Sequence, residues 1–135
     1  MTESPHQFLH PKRWKPAVGY SNGVAARGRM IFTGGIIGWN AAQEFETDDF
    51  AGQARQALSS IVEVLAEAGA GPEHLVRLTW YVIDKQQYLA SLRELGGAYR
   101  DTIGRHYPAM ALVQVVALVE DRAKLEIEAT AVLPD

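Results

Sequence analysis

The run Met110-Ala111-Leu112-Val113-Gln114-Val115-Val116-Ala117-Leu118-Val119 reads as a β-strand, and its parity decides the fold. Odd positions give Ala111, Val113, Val115, Ala117 and Val119; even positions give Met110, Leu112, Gln114, Val116 and Leu118. Both faces are apolar, so the strand belongs to a sheet covered on both sides. After the turn Glu120-Asp121-Arg122, Lys124 to Leu133 alternates instead. Leu125, Ile127, Ala129, Ala131 and Leu133 form one apolar face, while Lys124, Glu126, Glu128 and Thr130 point the other way. With the apolar face under helices, Glu126 and Glu128 look toward a subunit boundary; the other reading is an edge strand with a wet outer face.

Working back toward the N-terminus, Tyr88 to Ile103 has helical spacing through Leu89, Leu92, Leu95 and Tyr99, with Gly96-Gly97 inside it. Leu75 to Ile83 is β-branched and aromatic, as a strand requires. The strongest helix signal has Thr47 as N-cap, Asp48 and Asp49 in the first turn, and Phe50, Ala54, Ala57, Leu58, Ile61, Val62 and Leu65 on one face. Gly69 and Gly71-Pro72 stop it. Tyr20 to Ala26 and Arg29 to Ile36 read as a hairpin turning at Arg27-Gly28.

The order is ββαβαββ, an α+β chain with a mixed sheet whose two crossovers put both helices on one face. Two helices, each about 10 Å wide, cover five strands about 4.8 Å apart on one side only. The other face needs a cover from outside the chain, and another copy is the simplest one. Residues 1–16 (MTESPHQFLHPKRWKP) hold three prolines and no periodicity, so they read as an irregular arm that Phe8 and Trp14 pin to a single domain spanning 17–135.

At 135 residues, 47% hydrophobic and 21% charged, the chain has the apolar surface for one ordinary core. Thirteen Lys plus Arg against sixteen Asp plus Glu give a net charge of −3, the wrong sign for neutralising many phosphates, so nucleic acid is a poor partner. Lys12, Arg13, Lys15, Arg27 and Arg29 read as solvated cations. The absence of cysteine excludes disulfides, thiolate nucleophiles and thiolate metal sites. No apolar run approaches the ~20 residues of a membrane span, and a cytoplasmic location is the expectation. His6, His10, His74 and His106 lack metal-ligand spacing and read as surface residues, so no metal is implied. Gly34-Gly35-Ile36-Ile37-Gly38 lacks the Lys-Ser/Thr and following helix of a phosphate loop, and reads as backbone turns near a pocket.

Gly19-Tyr20-Ser21, Ile31-Phe32-Thr33-Gly34-Gly35, Gln53-Ala54-Arg55-Gln56-Ala57-Leu58 and Leu65-Ala66-Glu67-Ala68-Gly69-Ala70 together resemble one family. Tyr107-Pro108-Ala109, Val113-Gln114-Val115 and Glu126-Ile127-Glu128-Ala129 complete the set in the right order over roughly residues 17 to 133. The chain is identified on these as similar to the reactive intermediate deaminases, the RidA or YjgF-type family. The resemblance implies a chorismate-mutase-like α+β fold and a homotrimer with inward-facing sheets. It also implies small-molecule pockets at the subunit interfaces, where enamines or imines are hydrolysed to a 2-oxo acid and ammonia without a cofactor.

Such a pocket holds the substrate carboxylate in an Arg fork and uses a carboxylic group to position the attacking water. The family's Arg follows Pro-Ala, where this chain has Met110, a thioether with neither donor nor charge. The resemblance places Glu126 as the water-positioning carboxylate, Tyr20 as pocket wall or donor, Gly34 beside the pocket, and Arg93 at a family Asn position from which it would supply the missing charge. Leu112, on the face of Met110, and the tryptophans Trp39 and Trp80 would make the pocket apolar and suit a larger or uncharged ligand; the tryptophans read equally as packing residues. The leading reading is therefore a trimer that binds a small organic ligand in its subunit-interface pockets, with hydrolysis of an enamine or imine that is not a simple 2-imino acid as the reaction such a pocket would carry if it is an enzyme. A binding module without catalysis is the alternative. An endoribonuclease or translation inhibitor is third, opposed by the acidic charge.

Overall fold

The computed structural model describes residues 3–135. In chain order the elements are β1 (Gln7–Leu9), β2 (Gly23–Ala25), β3 (Arg29–Phe32), β4 (Ile36–Ile37), α1 (Phe50–Glu67), a 3-10 turn (Pro72–His74), β5 (Leu75–Val82), α2 (Lys85–Ala90), α3 (Leu92–Thr102), β6 (Ala109–Gln114) and β7 (Leu125–Leu133). The main sheet runs β3-β7-β5-β6, with β4 also paired to β7. Only β5 and β6 are parallel, so the α+β class and the mixed sheet are as expected.

The N-cap of α1 is Asp49, two residues beyond the expected Thr47. Asp49 Oδ2 accepts from the Gly52 N–H at 2.8 Å, while Thr47 Oγ1 accepts from the Asp49 N–H and forms the preceding turn. Phe50, Ala54, Ala57, Leu58, Ile61 and Leu65 are buried as one stripe against Leu78, Leu125, Ile127 and Ala129 of the sheet. Gly69, at φ 76°, ends the helix by turning Ala70 N–H back onto the Leu65 carbonyl.

Five further expectations are corrected. β2 and β3 form no hairpin: β2 pairs with β1, Phe8 opposite Val24, and β3 pairs with β7 from Arg29–Leu133 to Phe32–Thr130. The cause lies at Gly28, whose φ is 144° and where any Cβ would collide with the Leu133 backbone, so the chain leaves the turn alongside the end of β7. The segment read as an irregular arm thus supplies a strand; its residues 1–2 lie outside the described residues. The second helix divides at Ser91, whose hydroxyl donates to the Gln87 carbonyl at 2.8 Å, while Gly96 and Gly97 stay inside α3.

The strand expected over Met110–Val119 stops at Gln114, opposite the last residue of its partner, Val82. Among the described residues no strand continues the pairing at this end of β6, whose other edge makes a bridge to Ser21 only at Ala109, and Val116 and Val119 beyond it are exposed. β7, finally, is no edge strand but lies between β5 and β3/β4. Its alternation is that of a central strand with one face under α1 and one face uncovered in the single chain. Register carries Glu126 and Glu128 to that uncovered face beside Tyr81 and Thr79, flanked by Phe32 of β3 and Val113 of β6, which are 66% and 45% exposed.

Candidate functional site

An open cavity of about 1400 Å³ lies where the free edge of β6 meets α2, α3 and the segments around β1 and Tyr20. Its floor is fixed by the chain just before β6. The Ser21 N–H donates to the Pro108 carbonyl at 3.0 Å and its hydroxyl donates to Tyr107 O, a parallel bridge that sets Tyr20 beside the start of the strand. Tyr107 stacks on Tyr99 at 5.3 Å, and the Tyr99 hydroxyl donates to His106 O at 2.6 Å. Burial raises the Tyr99 pKa, so this phenol stays a neutral donor. Met110 and Leu112 then face the cavity from β6, opposite Leu78 and Trp80 of β5. Trp80 is buried, and its Nε1 has no hydrogen-bond partner among the described residues.

Of the sequence-derived site residues, Tyr20, Met110 and Leu112 meet in this cavity. Glu126 does not. It is half-buried and opposite Tyr81 in the register, on the other face of the sheet from Met110. There it lies against the Gly34-Gly35 turn, where a Cβ on Gly35 would run into its carboxylate. Thr33 holds that turn by donating its hydroxyl to Gly34 O at 2.8 Å and accepting from the Ala129 N–H at 3.0 Å. Next to it the Tyr81 hydroxyl donates to Glu128 Oε1 at 2.7 Å, and this bond is the main reason the Tyr81 pKa is raised. Arg93 is exposed on α3 and is not among the residues lining its own chain's cavity; Trp39 packs on Phe45.

Sequence reasoning missed Arg100, which lines the cavity from α3 and makes no ion pair among the described residues. The signal was the spacing Leu92, Gly96, Arg100, a single helix face one turn apart. It also misplaced His106 on the surface. His106 is 6% exposed, donates from Nε2 to Leu75 O at 2.8 Å and meets Phe8 edge-on at 5.6 Å. Desolvation lowers its pKa, opposed by the bond to Leu75, with His6, Glu73 and His74 nearby.

Because the fold keeps this imidazole neutral below its unfolded pKa of about 6.5, the unfolded chain binds more protons there. Stability should therefore fall as pH drops below about 6.5. Urea denaturation at pH 7.5 and 5.5 tests this: His106→Gln should be less stable at pH 7.5 and show a shallower loss on acidification. An unchanged loss in the variant would rule out His106 as its source.

No helix of the described residues is long and apolar enough to cross a membrane. One layer of helices on one face of a mixed sheet, with an edge cavity and an opposite face that no described helix covers, makes this an α+β protein of chorismate-mutase-like type. The endoribonuclease L-PSP family model matches residues 10–133, and the chain belongs to that family, the RidA/YjgF group.

The putative reactive intermediate deaminase TdcF of Escherichia coli is 31% identical over 127 residues, 93% of this chain and 96% of that protein. The crystal structure of E. coli TdcF with bound serine superposes with a TM-score of 0.66 at 30% identity, covering 94% of this chain and 98% of that one. The 2-iminobutanoate/2-iminopropanoate deaminase of E. coli is 34% identical over 105 residues, 78% of this chain and 80% of the other. A Rid-family protein of unknown function from Yersinia pestis, YyfB, has a TM-score of 0.85 at 32% identity over 95% and 98% of the two chains.

Proposed function

We propose that this protein is a homotrimer that binds a small organic ligand in pockets completed between subunits, and that it hydrolyses an enamine or imine other than a small 2-imino acid. The observation that supports this is the division of the candidate residues. Tyr20, Met110 and Leu112 belong to the β6-edge cavity, whereas Glu126 and Gly34 sit across β5 and β7 on the opposite face, roughly 10 Å away by strand spacing alone. One chain does not bring them together; a neighbour docking its uncovered face against this edge does, and it covers Phe32 and Val113 as well.

In such a pocket the Glu126 carboxylate takes a proton from water as the water oxygen bonds to the imine carbon. The C–N bond then breaks, the carbonyl forms, and both water protons leave with ammonia. The names of the relatives favour deamination, and Met110 in place of the family Arg points away from their small substrates. RNA is opposed by the net charge of −3 and by Glu126 and Glu128 on the face to be covered. Light scattering on a size-exclusion column should give about three times the chain mass of 14.8 kDa. A stable monomer would sink the proposal.

A further inference from the structure

We propose that the β6-edge cavity takes an aromatic carboxylate whose anionic end is received by Arg100 of α3. The inference names the ligand class of the site assigned above and rests on that assignment.

Two observations converge. The walls are aromatic: Trp80, Tyr20, Tyr88 and Phe8 line the space together with the flexible thioether of Met110, and its volume of about 1400 Å³ far exceeds a three-carbon acid. The charges on the wall are Arg100 and Arg105 against Glu3, a balance that favours an anion. Arg105 is already engaged within the chain, whereas Arg100 makes no ion pair among the described residues.

The helix is shaped for the role. Arg100 folds back along α3 over Gly96, where an added Cβ would come within 3.2 Å of Nη1. Glycine inside a helix is unfavourable, and here its missing side chain leaves the guanidinium its place on the cavity wall. The charge that position 110 lacks on the strand is thus supplied from the helix, at a place that suits a longer molecule with its ring against Trp80.

Calorimetric titration of the intact protein with 3-phenylpropionate, propionate and 3-phenylpropanamide tests the proposal. The aromatic acid should bind more tightly than either comparator. Arg100→Ala should weaken the acid by about ten- to a hundredfold while leaving the amide unchanged. Arg100→Lys should recover part of that loss. Gly96→Ala should weaken the acid and raise Tm, a combination that damage to the fold does not produce. Equal binding of acid and amide overturns the proposal, as does a loss that follows Arg93→Ala or Arg105→Ala instead of Arg100→Ala. Light scattering on the same samples separates the two readings. A trimer that ignores the acid sinks this inference alone, and a monomer that binds it through Arg100 sinks the shared-pocket reading and upholds this one.

Discussion

Replacing Glu126 by Gln should lower imine hydrolysis by about 10²- to 10⁴-fold while leaving assembly and the affinity for an aromatic acid where they were. Gln keeps the volume and the hydrogen-bonding reach of Glu but does not accept the water proton, so the change removes the chemical role and little else. The residue is placed for such a role by its neighbours. It stands opposite Tyr81 and against Gly35, half-buried, on the face of the sheet that carries no helix.

The measurement is the rate of semicarbazide trapping of an imine released in situ by an amino-acid oxidase from an aromatic amino acid. Gly35→Ala is the companion variant, because its Cβ would push the Glu126 carboxylate aside without removing it; turnover should fall in that variant too. Wild-type turnover that is unaffected by Glu126→Gln would remove Glu126 from the mechanism. A wild type that binds ligand through Arg100 but never turns over an imine would establish the binding module instead.

What the sequence made legible follows from where local pattern and tertiary environment agree. α1 is such a case, since its apolar stripe, caps and stop are all contained within residues 47 to 72. The alternation in β7 likewise sorted Leu125 and Ile127 from Glu126 and Glu128 correctly, because parity survives whatever strand lies alongside. What parity does not contain is the identity of the neighbour. The β2–β3 hairpin failed for that reason: Gly28 fits a tight turn and also a close pass by the Leu133 backbone, and only the latter depends on a residue over a hundred positions away. The end of β6 at Gln114 was equally invisible, being set by the end of β5 rather than by Val115 to Val119. At the site, motif positions led to Met110, Leu112 and Tyr20, whereas Arg100 and His106 needed the fold. The one is defined by the helix face it shares with Gly96, the other by the carbonyl of Leu75.

Met110→Arg should convert a protein that hydrolyses 2-aminoacrylate-type imines little faster than buffer into one that binds small 2-oxo acids and shows partial turnover. In the wild type a three-carbon imino acid finds a thioether and Leu112 at the β6 edge, neither of which offers its carboxylate a charge or a donor. Binding energy at the carboxylate is what normally positions the imine carbon against water, so its absence costs rate as well as affinity.

An Arg at 110 would project from the same strand position, opposite Leu78, into open space, and a bidentate pair there should contribute ~1.5 to 3 kcal/mol, about ten- to a hundredfold in the Kd for pyruvate. The gain is limited by company. Arg100 and Arg105 already line the cavity, and a third cation raises the cost of the empty site and of any subunit contact around it. Light scattering must therefore accompany the titration. Robust wild-type hydrolysis of the small imine would show that a cation already present, Arg100 or Arg93, holds its carboxylate within reach of the water. An intact Met110→Arg trimer that still ignores pyruvate would mean that Leu112 and the aromatic walls, rather than the missing charge, exclude small acids. The aromatic ring would then be the feature this pocket selects.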